Sequence, residues 1–199
     1  MKLCFSPTSP YVRKVRACAI TREIEDRIEL VPTDANGSEP GFVAINPLSK
    51  VPALVTDDGV ALFDSPVICE YLDTIGDALP MFPEHGAARW RALKFQAMGD
   101  GILDASVPRR GEMMKPQDAG RTAWIARQKA AVERTLDALE ADPPHRHIDI
   151  GSIAVACALG YLDFRFAAQP WREGHPRLAT WYEAFAQNPG IATTVPKEG

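Results

Sequence analysis

Two rhythms divide the chain. Up to residue 76, short apolar runs suited to strands alternate with stretches of helical period; from residue 87 onward only the helical period is left. Lys2–Phe5 is a short extended segment ended by Ser6-Pro7, and Tyr11–Arg22 places Val12, Val15, Cys18 and Ala19 on one helical face. Ile28–Val31 is a second strand. After a Gly/Asn/Pro-rich connection, Ala53–Val55 and Val60–Phe63 flank Asp57-Asp58-Gly59, a hairpin signal because Asp-Gly tolerates positive φ. The helical period then returns: Ser65 and Pro66 predict an N-cap with a first-turn proline, Val67, Ile68, Tyr71, Leu72 and Ile75 predict the apolar face, and Gly76 predicts the stop.

This order, β-α-β, a loop, then a β-hairpin and a helix, is the thioredoxin-like plan. Residues 77–86 hold two prolines, a glycine and no periodicity, and read as an inter-domain linker. Beyond it, Trp90, Leu93 and Ala97 mark one face of a helix whose other apolar face carries Phe95, Met98 and Ile102. Trp124, Gln128, Val132, Leu136 and Leu139 mark a second helix, and Leu178, Trp181, Tyr182 and Phe185 a late one. Ile150–Leu162 is apolar on every side, as suits a helix central to a bundle, with Asp149 as its N-cap and Ser152 three residues on. The expected fold class is an α/β thioredoxin-like domain over 1–76, a linker over 77–86 and an all-α helical domain over 87–199.

Composition narrows the partners. Of 199 residues, 22 are Lys or Arg and 26 Asp or Glu, a net charge of −4 with no basic run longer than two. Neither nucleic acid nor an anionic membrane is an expected partner. The Ile150–Leu162 run is 13 residues, short of the ~20 a bilayer needs, and no secretory signal opens the sequence, so a cytoplasmic location is expected. Cys4, Cys18, Cys69 and Cys157 lie far apart without metal-ligand spacing and are expected as free thiols in the core, as are the four tryptophans. His145 and His147 stand two apart in a Pro-rich loop and read as solvated, so no metal site is expected.

Three short segments carry candidate chemistry. Ser9 precedes Pro10 at the start of the first helix, where its hydroxyl and the positive helix end favour an anion. Lys50-Val51-Pro52 leads into a strand whose proline blocks a ladder bond, leaving the Val51 backbone free for a ligand. Asp64-Ser65-Pro66 repeats the anion-site arrangement, with Asp64 able to accept from an ammonium. Each segment alone reads first as turn or capping chemistry.

Together the three segments resemble the glutathione-binding site of the cytosolic glutathione transferase superfamily, and the likeness spans nearly the whole chain. The Ser6-Pro7-Thr8-Ser9-Pro10-Tyr11-Val12-Arg13-Lys14 run is similar to that of small bacterial members. The resemblance implies that Ser9 contacts the glutathione sulfur, making this a serine-type member with Ser9 as catalytic residue. It implies that Val51 pairs with the cysteinyl backbone across a cis Pro52, and that Lys50, Asp64 and Ser65 anchor the tripeptide's charged ends. Tyr11, Arg109 and Met113 are expected in the second-substrate pocket. Two features depart from the family pattern: Asp64 stands where Glu is common, and Asp149 with Ser152 inverts the usual order of the capping pair. The implied activity is transfer of the glutathione thiolate to a small electrophile, with glutathione as co-substrate, no other cofactor, and a homodimeric assembly. Isomerase, dehalogenase or peroxidase chemistry on the same site, or a non-catalytic binding role, are the alternatives.

Overall fold

The computed structural model describes residues 1–34 and 40–196, and within it the chain separates into two compact units. The first comprises Met1–Glu84 together with the segment from Asn188 on; the second is His85–Gln187.

In the first unit, β1 (Lys2–Phe5) is followed by α1 (Pro10–Thr21), a single 3₁₀ turn at Glu25–Arg27, and β2 (Glu29–Pro32). Then come α2 (Pro40–Ile45), β3 (Ala53–Val55), β4 (Ala61–Leu62) and α3 (Ser65–Asp73). The sheet order is β2-β1-β3-β4, with β1 parallel to β2 and antiparallel to β3, and β3 antiparallel to β4. Leu3 and Cys4 of β1 and Ala53 and Leu54 of β3 are all buried, as expected of central strands covered on both faces. On α1, Val12, Val15, Cys18 and Ala19 are all buried, as their spacing predicts.

Several boundaries differ from the sequence expectation. The short helix α2 lies in the connection expected to be irregular, of which residues 35–39 are outside the described residues. Its Phe42 packs against Cys4 and Ala53 in a cluster joined by Ile45, Val51 and Phe63, so tertiary burial rather than helical period fixes it. Strand β4 is two residues, shorter than the expected Val60–Phe63. Asp64, extended at φ −92° and ψ −158°, is the N-cap of α3, displacing Ser65 into the first turn. Val67 faces solvent at 47% exposure, and the buried stripe of α3 is Ile68, Cys69 and Leu72.

The second unit contains α4 (Gly86–Met113), α5 (Ala119–Ala141), α6 (Ile150–Arg165) and α7 (Pro176–Phe185), with a 3₁₀ turn at Trp171–Gly174. Helix α6 is buried continuously from Ile150 to Leu162. Its start is a reciprocal capping box: Asp149 Oδ1 accepts from the Ser152 amide at 2.7 Å, while Ser152 Oγ accepts from the Asp149 amide at 2.9 Å. The inverted residue order therefore makes the same two bonds. Two glycines let α4 and α6 approach backbone to backbone. A Cβ on Gly99 would sit 2.6 Å from the Ala154 carbonyl carbon, and one on Gly151 2.5 Å from the Ala92 oxygen.

The buried face of α4 is Ala92, Phe95, Gln96, Gly99, Ile102 and Leu103, so the expected Trp90/Leu93/Ala97 face is the outer one. Trp90 is 69% exposed, against the expectation of a core tryptophan, and Trp124 is half-buried; Trp171 and Trp181 are buried. The expected helical domain over 87–199 is also too long. From Asn188 the chain joins the first unit through α8 (Pro189–Ala192): Gly190 lies against the Ala17 carbonyl, and Arg13 donates to Ile191 O at 3.2 Å and to Thr194 Oγ1 at 3.4 Å. All four cysteines are buried free thiols.

Candidate functional site

Strand register brings the three candidate segments to one end of the sheet. Cys4 pairs with Ala53, so the chain leaving β1 toward Ser9 and the chain entering β3 from Val51-Pro52 meet at the same edge. Leu54 pairs with Leu62, so β4 leaves for Asp64-Ser65 at that edge as well. Residues 40 or more apart in sequence are thereby neighbours at the mouth of one sheet, with the N-termini of α1 and α3 beside it.

Ser9 caps α1 from an extended conformation (φ −75°, ψ 120°), its Oγ accepting from the Val12 amide at 3.3 Å. That bond uses a lone pair of the hydroxyl and leaves its O–H free to donate. No acidic residue occupies the first turn of α1, so the positive helix end is not neutralised there.

The Val51–Pro52 peptide bond is cis, as the resemblance implies, and so is Phe63–Asp64. Val51 turns its side chain into the Cys4/Phe42/Ala53 cluster, so the backbone is what it offers outward. The loop before it is shaped by Asn46, 1% exposed, whose Nδ2 donates to Lys50 O at 2.7 Å and whose Oδ1 accepts from the Leu48 amide at 3.0 Å. Lys50 projects into solvent. Asp64 makes no side-chain cap bond, which leaves the first-turn N–H groups of α3 without a side-chain acceptor. Ser65 is buried and Asp64 is exposed beside it. The edge thus offers a hydroxyl donor, an open backbone, two helix N-termini, a cation and a carboxylate.

Of the second-substrate candidates, Tyr11 is half-buried in the first turn of α1. Arg109 and Met113 stand one turn apart on α4 of the helical unit, Arg109 buried at 3% and Met113 exposed at 42%.

Comparison with known proteins follows the same division. The N-terminal domain of glutathione S-transferases matches residues 8–75 and their C-terminal domain residues 122–184. The chain belongs to the glutathione S-transferase family. It is 35% identical over 202 residues to the uncharacterized GST-like protein YibF of Escherichia coli K12, covering 98% of each chain. A glutathione transferase family member from Pseudomonas fluorescens Pf-5 with bound glutathione is 39% identical, covers 99% of both chains and superposes with a TM-score of 0.92. The same protein with bound S-(propanoic acid)-glutathione is 40% identical, covers 100% of both chains and has a TM-score of 0.88. Family membership and the thioredoxin-like plus helical architecture are thus as the sequence implies.

Two positioning groups of this family member escaped sequence reading. Asn46 carries only a weak signal, its place before Pro47 in a turn. Arg22, 4% exposed, donates to the carbonyls of Ala78, Ile75 at 3.2 Å and Gly76 at 2.7 Å, while Asp73 accepts from the Met81 and Phe82 amides at 2.7 and 3.0 Å. The pair ties down the chain beyond α3, and nothing in its spacing announces it. His145 and His147 stack at 5.1 Å in an exposed loop, and among the described residues no cluster of three metal-ligating side chains occurs. No helix among them is long and apolar enough to cross a membrane.

Proposed function

We propose that the chain is a cytoplasmic serine-type glutathione transferase that binds glutathione along the open sheet edge and directs its thiolate at a small electrophile. The carrying observation is the convergence of Ser9, Val51-Pro52 and Asp64-Ser65 at one end of the sheet, with the Ser9 O–H free to donate. In this reading Ser65 and the α3 N-terminus receive the γ-glutamyl carboxylate, Asp64 its ammonium, Lys50 a terminal carboxylate, and Val51 the cysteinyl backbone through antiparallel hydrogen bonds.

The thiol then lies against the α1 N-terminus. A free thiol of pKa about 8.5 is about 3% ionised at pH 7, and lowering it by two units, to roughly three-quarters ionised, takes about 2.7 kcal/mol. A hydrogen bond to the charged sulfur contributes about 1.5 to 3 kcal/mol and the helix end about 0.3 to 1 more. One hydroxyl and one helix end therefore suffice. Ser9 holds the thiolate and transfers no proton; the thiol proton leaves to solvent, and sulfur forms a bond to carbon as the leaving group, or the π electrons of an activated double bond, take up the displaced pair. Glutathione is consumed as co-substrate and the mechanism calls for no further cofactor.

The test is calorimetric binding of glutathione together with thioether formation on a panel of alkyl halides, aryl halides and activated alkenes. A chain that binds glutathione but forms no thioether with any of them, and instead isomerises, dehalogenates reductively or reduces peroxides, moves the reaction to one of those classes on the same site. No glutathione binding overturns the reading. The assembly proposed is a two-fold homodimer, supported by the exposed apolar side chains Trp90 and Val67; light scattering at the monomer mass of 21.8 kDa at micromolar concentration contradicts it.

A further inference from the structure

The turn that leads into Val51 is held by one buried amide. Asn46, 1% exposed, follows α2 with its backbone N–H donating to Phe42 O at 2.8 Å. Its Nδ2 donates to Lys50 O at 2.7 Å, its Oδ1 accepts from the Leu48 amide at 3.0 Å, and its own carbonyl accepts from the Ser49 amide at 2.9 Å. Lys50 O can only accept and the Leu48 N–H can only donate, so these partners fix which way round the side-chain amide stands. Pro47, Leu48 and Lys50 are exposed, so hydrogen bonds to Asn46 rather than packing set the shape of the turn. Within it Ser49 stands at φ 50°, a left-handed conformation that a residue with a side chain keeps only when its surroundings impose it.

The consequence falls on the next peptide unit. The Lys50–Val51 bond is trans, and in a trans peptide the C=O and the N–H point in opposite directions. With Lys50 O drawn onto the buried Asn46 amide, the Val51 N–H is aimed away from it. The β3 ladder begins two residues later at Ala53, and among the described residues the Val51 N–H has no acceptor. The Val51 side chain, packed against the Cys4/Phe42/Ala53 cluster, holds the residue from its other side. Backbone N–H groups in folded chains are nearly always paired with protein or water. A donor that is free, and whose direction is already set, can meet a ligand carbonyl without the ordering cost that a mobile loop would add.

We propose that Asn46 is a positioning residue for the ligand: by holding the Lys50 carbonyl inward it presents the Val51 N–H to a peptide carbonyl, so that the site selects a ligand with an amide at that place. The inference rests on the glutathione reading above, in which Val51 pairs with the cysteinyl backbone. Asn46 itself touches no reacting atom, and the thiol at the α1 N-terminus is outside its reach. It therefore governs how tightly the tripeptide is held and leaves the ionisation of the bound thiol alone.

Two ligands test it by calorimetry: glutathione, and an analogue in which a trans alkene replaces the Cys–Gly amide, keeping the length and both charged ends but losing the carbonyl. Wild-type protein is expected to bind glutathione at least 5-fold more tightly than the alkene, the factor one neutral hydrogen bond supplies. Asn46→Asp keeps an acceptor for the Leu48 amide and loses the donor to Lys50 O. It is expected to bring glutathione to within 2-fold of the alkene, while the alkene's affinity changes by less than about 3-fold and the apparent pKa of the bound thiol stays at its wild-type value. Equal affinity of the wild type for the two ligands overturns the inference and leaves the glutathione reading intact. So does an Asn46→Asp variant that weakens both alike, the mark of a merely structural residue. Wild-type protein that binds neither overturns the glutathione reading and this inference with it. Where Asn46→Asp does not fold, amide exchange in the wild type decides: the Asn46 Nδ2 protons should exchange slowly with and without glutathione, and the Val51 N–H should slow at least 10-fold only in the saturated complex. Fast Asn46 exchange, or a Val51 rate that glutathione does not change, overturns the inference.

Discussion

In the thioredoxin-like unit the candidate chemistry sits where the chain turns, and in the helical unit the tightest constraints sit where helices touch. Ser9, Val51-Pro52 and Asp64-Ser65 each occupy the end of a strand or the first turn of a helix, positions that leave backbone N–H and C=O groups unpaired. Gly99 and Gly151 occupy helix interiors, where any side chain meets the facing backbone within 3 Å. The first unit can therefore lose a side chain at its edge and keep its fold, whereas the second tolerates no added atom at its centre. Binding and stability should respond separately to substitutions in the two units.

The largest effect separates them on the stability side. Gly99→Ala places a methyl 2.6 Å from backbone that has no rotamer to escape with, and should cost about 3 kcal/mol, read as a fall in the urea midpoint. Gly101→Ala, two residues on with nothing within 4 Å, should instead be neutral or gain up to about 1 kcal/mol from helix propensity. Equal midpoints for the two variants would show that the α4–α6 contact is looser than described. On the binding side, Ser65→Ala should weaken glutathione by about 1.5 to 3 kcal/mol, roughly 10-fold to 150-fold, with little change in the unfolding midpoint. A dissociation constant unchanged by calorimetry would reduce Asp64-Ser65 to a helix start.

The capping box of α6 is the counterpart in the helical unit. Asp149→Ala removes the acceptor of the Ser152 amide and should cost about 1 to 2 kcal/mol of stability while leaving glutathione affinity alone. A variant that keeps its stability but loses the ligand would break the division between the units. The smallest effect is electrostatic. Arg91, bonded to Asp142 at 2.8 and 2.9 Å, holds the Asp142 carboxyl below the ordinary carboxylate range, so the folded chain binds that proton only at lower pH than the unfolded chain does. The pair's stabilisation is complete above about pH 4 and fades as pH falls through the depressed value. Because Asp142 is half exposed the gain is about 0.5 kcal/mol, and Asp142→Asn should flatten the acid limb of stability against pH by that amount and no more.

The same contrast explains what the sequence made legible. Caps, prolines and Asp-Gly turns act through local backbone geometry, so α1, the β3–β4 hairpin and the Asp149–Ser152 box could be read from a few adjacent residues. The six-residue α2 could not, since Phe42 is fixed by Cys4 and Ala53 from distant parts of the chain. Apolar spacing on α4 marked two faces without saying which was covered, which is why Trp90 reads as core and stands in solvent. The return of the chain from Asn188 to α1 depends on Arg13 finding the carbonyl of Ile191, a pairing across 178 residues with no local signature. Arg109 reads in the sequence as one of several basic residues of α4, and its burial without a carboxylate partner appears only in three dimensions.

Ser9 as donor to a glutathione thiolate is the centre of the proposed mechanism. Thiolate absorbance near the ultraviolet edge, titrated with pH for glutathione bound to wild type and to Ser9→Ala, tests that directly. With the donor gone, the apparent pKa of the bound thiol should rise by one to two units, and turnover at neutral pH should fall about tenfold or more while glutathione affinity changes far less. Superimposable titration curves would contradict it, leaving Ser9 as no more than the cap that accepts from Val12.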